Sequence, residues 1–214
     1  MCIRDSHTRG KIIELIKQGK SVALVSDAGT PLISDPGYKL VKTTIQEGFE
    51  VFSVPGPSSV IAALTVSGLP TDTFSFLGFL PNTKSKKKKL LETYLNLGSS
   101  LIIFESGKRL QKTLELLAET CRPFTDICIC RELTKLNEEV IRFKAEEALK
   151  VTKKMRSLKG EFVILVGKNE AGDFDLKNLD QQLRKLKKST SMKDSVNFLA
   201  GKLNISKKLF IKRP

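Results

Sequence analysis

The sequence predicts an α/β fold of two lobes followed by a small helical C-terminal extension, and three observations carry that prediction. Short apolar runs of strand length alternate with longer stretches of helical periodicity between residues 11 and 166. Two of those runs, VALV at 22–25 and VFSV at 51–54, each end in a loop of Gly, Pro, Ser, Thr and Asp ahead of a helix. Beyond Gly167 the composition shifts toward lysine and polar residues. These changes set the expected boundaries: a first lobe over 1–73, a second over 74–168, and a linker with a basic helical tail over 169–214.

In the first lobe, the spacing predicts a helix over 11–17 with Ile12, Ile13, Leu15 and Ile16 on one side and Gly19 as its stop. Strand 22–25 follows. Asp35 and Pro36 then read as the N-cap and first residue of a helix over 37–47. After strand 51–54, Pro55, Gly56 and Pro57 form a turn, with Ser58 as N-cap of a helix whose Ser59, Ala62 and Ala63 make a face of small residues.

The second lobe opens after Gly68, Leu69 and Pro70 with a strand over 74–80. A helix over 87–97, a strand over 100–105, a helix over 110–119 and a strand over 126–132 continue it. Residues 136–143 have no clear form, and a helix over 145–155 and an apolar strand over 162–166 close the lobe. In the tail, NEAGDFDLK is a linker, and two amphipathic segments, 179–186 and 196–203, flank Ser189, Thr190 and Ser191.

Chemistry concentrates in the two loops of the first lobe. In an open α/β sheet a small ligand sits at the carboxyl ends of strands, where glycine lets it reach the backbone and helix starts offer unpaired amides. In Asp27, Ala28, Gly29, Thr30 and Pro31, the glycine permits close approach, the aspartate can accept from an amine or ribose, and the proline stiffens the turn. Gly56, Ser58 and Ser59 form the second half of this candidate site.

The chain carries 37 Lys and Arg against 23 Asp and Glu, a net charge of +14. Residues 177–214 hold eleven Lys or Arg and two Asp, so most of the excess lies in the tail. A second cluster is Lys84, Lys86, Lys87, Lys88 and Lys89, read as a loop between the lobes. Such clusters suit a polyanion such as RNA, although lysines outnumber arginines 28 to nine, a bias that a solvated surface explains equally. Cys2, Cys121, Cys128 and Cys130 have no metal-ligand spacing and His7 is the sole histidine, so no metal is expected and the thiols read as reduced. No run reaches the ~18 apolar residues of a membrane span, which points to the cytoplasm.

Five phrases in series resemble one family: KSVALVSDAGTPLISDPGYKLV, VPGPSSVIAALTVSGLPTDTFSFLGFLP, IIFES with Arg109 nearby, RELTK, and KGEFVILV. Together they resemble the ribose 2'-O-methyltransferases of the tetrapyrrole methylase superfamily, from about Lys11 onward. The resemblance implies two lobes with a cofactor cleft between them, S-adenosyl-L-methionine as methyl donor, and a cytidine ribose of 16S rRNA in the small ribosomal subunit as acceptor. It also implies a homodimer.

By position, Asp27, Ala28, Gly29, Thr30, Pro31, Gly56, Ser58 and Ser59 match the cofactor loops of such proteins. Glu105, Ser106 and Leu133 match places where the second lobe closes on the cofactor. Arg131 and Glu132 match the catalytic region, and Lys84, Lys86, Lys87, Lys88 and Lys89 would contact RNA. The residues alone do not choose a general base among Asp27, Glu105 and Glu132, each of which suits a salt bridge equally. The chain departs from the family at its front: stretches resembling PTPIGNL and AEDTR do not occur, and MCIRDS resembles nothing in the family. The expectation is a first lobe without its first strand. Two other readings stay open, a methylase of a tetrapyrrole or other small molecule and a non-catalytic RNA-binding fragment.

Overall fold

A computed structural model describes residues 6–168, 183, 186 and 190–203. The chain divides into two compact units, Met1–Val66 and Ser67–Pro214; the sequence reading set this change at 73/74.

The first unit contains helices α1 (Ser6–Lys17), α2 (Tyr38–Gln46) and most of α3 (Ser59–Ser67). Ile12 and Ile13 of α1 pack with Leu40 of α2, and Ile16 lies against them. Lys17 pairs with Glu47 at 3.1 Å across the ends of the same two helices. The expected stop is present: Gly19 has φ 78°, a left-handed conformation that ends a helix without steric cost.

Two expectations fail in this unit. Segments 22–25 and 51–54 form no strand and have no ladder partner among the described residues, and Val25, Phe52 and Val54 are more than three-quarters exposed. An apolar run specifies an extended chain, whereas a strand exists only once its amides and carbonyls pair with a neighbour. Asp35 is also not an N-cap. Helix α2 begins at Tyr38 behind Gly37, whose φ of 139° aims the chain into the helix with no capping side chain. A Cβ there would sit 2.9 Å from Leu32 Cδ1, so packing against Leu32 and Leu24 sets the helix start in place of a polar cap.

The second unit is built on a five-stranded mixed sheet in the order β1-β2-β5-β3-β4. Its strands are β1 (Phe74–Phe79), β2 (Ser100–Ser106), β3 (Asp126–Arg131), β4 (Glu139–Lys144) and β5 (Glu161–Val166). The β1 and β2 strands are parallel and every other pair is antiparallel. Residues 139–143 of the undecided 136–143 segment thus fall in strand β4, hairpin-paired to β3.

On one sheet face Leu101, Ile103, Ile127, Ile129, Ile164 and Val166 meet helices α4 (Lys84–Leu95), α5 (Gly107–Thr120) and α6 (Ala148–Val151), which supply Leu91, Leu95, Leu110, Leu114, Leu117, Ala148 and Val151 to one core. Helix α6 follows a 3-10 turn, Ala145–Glu147, and is shorter than the expected 145–155 helix. Tight bonds from the Lys153 and Lys154 amides to the carbonyls of Lys150 and Val151 end it. Helix α7 (Met192–Leu203) buries Leu199 and Ala200 beside Phe124, Leu183 and Leu186. Most of the 179–186 segment lies outside the described residues. No helix among the described residues is long and apolar enough to cross a membrane.

Candidate functional site

The two glycine-containing loops of the first unit are joined directly. The Thr30 hydroxyl donates a 2.8 Å hydrogen bond to the carbonyl of Pro57, so the loop that follows 22–25 is tied to the loop that follows 51–54. Within the first loop the Ser26 hydroxyl lies 3.2 Å from the Ala28 carbonyl and 3.3 Å from that of Gly29. Gly29 has φ 70°, and a Cβ built there meets nothing within 4 Å, which leaves its backbone open to a ligand. Leu32 and Ser34 also hold positive φ, at 73° and 58°. Asp27 and Ala28 are exposed and Pro31 is half-buried. The Ser58 carbonyl accepts the Ala62 amide at 2.9 Å, which puts Ser58 at the start of α3, with Gly56 exposed and Ser58 and Ser59 half-buried.

In the second unit the other candidates gather at one end of the sheet. Strands β2 and β3 are both antiparallel to β5, so their carboxyl ends coincide. Phe162 is the cross-strand partner of Glu105 on one side and of Arg131 on the other, and Arg131 is in turn opposite Glu139. Cross-strand partners share a face, so Glu105, Phe162, Arg131 and Glu139 form one row.

Glu105 is fully buried in this row and its carboxylate is occupied from within. Oε1 accepts the Ser106 amide at 2.9 Å and lies 3.1 Å from Arg109 Nε. Oε2 accepts the Thr113 hydroxyl at 2.7 Å, with Lys87 Nζ at 3.9 Å. Lys87 also donates to Thr113 Oγ1 at 3.1 Å, and burial pushes its ammonium below the ordinary lysine value, partly offset by Glu105. Arg109 further donates to the Leu80 carbonyl. Glu105 therefore anchors α4 and α5 to the end of β2, and its contacts within the unit leave it poorly placed to receive a ligand. Ser106, at the N-cap of α5, makes no side-chain capping bond.

Arg131 is also buried. Its Nε donates to the Lys159 carbonyl at 2.8 Å and its Nη1 to that of Asn137 at 3.1 Å, with Glu139 Oε2 at 3.9 Å. Glu132 takes φ 48°, and its Oε1 accepts the Glu161 amide at 2.8 Å and Lys135 Nζ at 3.2 Å. The amide bond, foremost, and Lys135 hold this carboxyl below the usual carboxylate range. Gly160, at φ 113°, makes room for it: a Cβ there would stand 2.7 Å from Glu132 Oε1. Leu133 is half-buried.

The five lysines do not form a loop cluster. They lie on the first turns of α4, where Lys84 pairs with Glu119 at 3.0 Å and Lys88 approaches Glu92 at 3.9 Å, while Lys86 and Lys89 are exposed. Lys87 points into the core, which separates it from an RNA-facing role. A signal was present in the sequence: Lys87, Leu91 and Leu95 recur at helical spacing, and all three are the buried residues of α4. The closeness of Gly160 to Glu132 had no such signal, because that contact joins distant parts of the chain, and the Thr113–Glu105 bond depends on how α5 packs back against the end of β2.

Cys121, Cys128 and Cys130 are free thiols in the core. Burial pushes Cys121 up to about 12. Cys128 and Cys130, on one face of β3, have sulfurs 3.9 Å apart, and the contact with Cys128, with burial, raises Cys130.

The family described as Tetrapyrrole (Corrin/Porphyrin) Methylases matches residues 7–149, which defines the class of this fold. The chain is 48% identical over 165 residues to the ribosomal RNA small subunit methyltransferase I of Rickettsia prowazekii (strain Madrid E), covering 77% of this chain and 58% of that protein. It is 46% identical to the protein of the same name from Hydrogenobaculum sp. (strain Y04AAS1), covering 74% and 68%. The chain belongs to the ribosomal RNA small subunit methyltransferase I family within the tetrapyrrole methylases. Among solved structures, the methyltransferase CobJ superposes with a TM-score of 0.57 at 22% identity, covering 75% of this chain and 70% of that one. Uroporphyrin-III-C-methyltransferase from Thermus thermophilus gives 0.52 at 20%, covering 76% and 71%. These two show the fold. The chain spans about three-fifths of the length of the Rickettsia relative.

Proposed function

We propose that the protein acts in S-adenosyl-L-methionine-dependent 2'-O-methylation of a cytidine ribose in 16S rRNA, on the small ribosomal subunit in the cytoplasm, as a homodimer. The observation that carries this reading is the identity of 44–48% to relatives named for small-subunit rRNA methylation, over 74–77% of this chain. That identity favours rRNA over a tetrapyrrole as acceptor.

The open backbone at Gly29 and the Thr30–Pro57 bond fit a planar, polar cofactor, with Asp27, Ala28, Gly29, Thr30, Pro31, Gly56, Ser58 and Ser59 as the residues that would hold it. S-adenosyl-L-methionine supplies a methyl group already activated on a sulfonium, so the protein's task is alignment of the acceptor oxygen. Asp27 has no hydrogen-bond partner among the described residues and is free to accept from the amine or ribose of that ligand.

Of the three candidate bases, Glu105 has both carboxylate oxygens taken up by Arg109, Thr113, Lys87 and the Ser106 amide, and Glu132 is held ionised by the Glu161 amide and Lys135. A carboxylate so stabilised is a weak base, which gives Glu132 the role of ordering its loop. Arg131, the last residue of β3, is buried and donates to the Lys159 and Asn137 carbonyls, so its role is to hold the segments on either side of Glu132 in place. The test is methyl transfer from labelled cofactor to small subunits lacking the modification, with uroporphyrinogen as rival acceptor. Label in the rRNA at a cytidine ribose is expected, and label in uroporphyrinogen alone would overturn the proposal.

A further inference from the structure

The segment ALKVTKKMRSLKG, 148–160, carries Lys150, Lys153, Lys154, Arg156 and Lys159 and no acidic residue. All five side chains are exposed, and none has an ion-pair or hydrogen-bond partner among the described residues. That sets the run apart from α4, where Lys84, Lys87 and Lys88 each face a glutamate. An uncompensated cluster keeps its field for a ligand, whereas a paired one has largely spent it.

The run is also held firmly. Ala148 and Val151 are buried in the core and Met155 packs against it, while the five cations, with Leu149 and Leu158, are exposed. The Thr152 hydroxyl donates to Gln111 Oε1 of α5 at 2.8 Å. Its far end is tied to the β3–β4 hairpin: Arg131 Nε bonds the Lys159 carbonyl at 2.8 Å, the Arg156 amide lies 3.4 Å from Glu139 Oε1, and Gly160 backs Glu132. Gly107 at the start of α5 lies so close to the Leu158 carbonyl that a Cβ would fall 1.7 Å from it.

We propose that Lys150, Lys153, Lys154, Arg156 and Lys159 form a phosphate-contacting surface for the RNA backbone, placed to carry a strand past the loop of Arg131 and Glu132. The inference rests on the rRNA reading above and names the surface that reading lacks. RNA is favoured over an acidic protein because the five cations lie on one short braced segment with no apolar anchor of the aromatic kind that protein interfaces use. Phosphate contact needs only regularly spaced charge.

The experiment compares the chain with a Lys153→Gln, Lys154→Gln, Arg156→Gln variant and with a charge-matched control, Lys20→Gln, Lys39→Gln, Lys42→Gln. Binding to a small-subunit rRNA fragment is measured over a range of salt concentrations. Three lost phosphate contacts should lower the slope of log affinity against log salt by about two units, with at least a tenfold loss at low salt, while the control stays near the parent. An unchanged slope, equal loss in both variants, or tighter parental binding to polyglutamate than to RNA would each overturn the proposal. Methyl transfer measured in parallel separates it from the substrate reading: a parent that binds RNA through these residues but labels no small subunit keeps the surface and loses the substrate.

Discussion

Thr30 and Pro57 are joined by a 2.8 Å bond from hydroxyl to carbonyl, which holds together two loops whose residues are far apart in sequence. Because the acceptor is a backbone carbonyl, the register of the two loops depends on the donor alone, and Thr30 is the natural point at which to test whether the loops work as one site.

Thr30→Val keeps the shape and removes the donor. Binding of S-adenosylhomocysteine by calorimetry should weaken several-fold, while thermal stability changes by about 1 kcal/mol or less, as for one exposed hydrogen bond. Gly29→Val should act more strongly, since φ 70° disfavours a branched residue and its side chain would enter the open space. Unaltered binding in both folded variants would remove these loops from the site.

Asp35→Ala should leave stability within about 0.5 kcal/mol, because Asp35 is exposed and caps nothing. Gly37→Ala should be the costly change, through φ 139° and the 2.9 Å approach to Leu32, by about 1–3 kcal/mol. Denaturant midpoints for the pair check this order, and a larger loss at Asp35 would restore it as the cap.

Glu105→Ala strands the Lys87 ammonium in the core and should cost roughly 3–5 kcal/mol. Lys87→Met should cost less, because Glu105 keeps Arg109, Thr113 and the Ser106 amide. Urea unfolding of the two single variants and the double variant gives the coupling. Equal losses would mean that Arg109 contributes little to holding Glu105.

Glu132 predicts an acid limb in the stability curve. Its folded carboxyl titrates below the ordinary 4.5, so on acidification the unfolded chain takes up its proton first. The stabilisation is therefore complete above about pH 4.5 and is lost as pH falls through the lower folded value. Glu132→Gln should flatten stability over that window, and Gly160→Ala, which crowds the same carboxylate, should do so in part. A curve of unchanged slope in Glu132→Gln would assign the acid limb elsewhere.

The sequence by itself determined the alternation of strand and helix in the second unit, the stop at Gly19 and the family, because each is written in local periodicity or in a contiguous phrase. It also put Thr30 and the Pro57 turn in paired loops, since both phrases combine glycine, proline and small hydroxyl residues next to a helix start. Only the tertiary structure decided that segments 22–25 and 51–54 lack ladder partners among the described residues, that Gly37 rather than Asp35 starts α2, and that Glu105 and Lys87 neutralise one another inside the core. Strand pairing and the burial of a charge are settled between residues from different elements, and helix entry by the way Gly37 packs against Leu32 and Leu24. Their energies come from pairing, packing and desolvation, which no single stretch of chain contains.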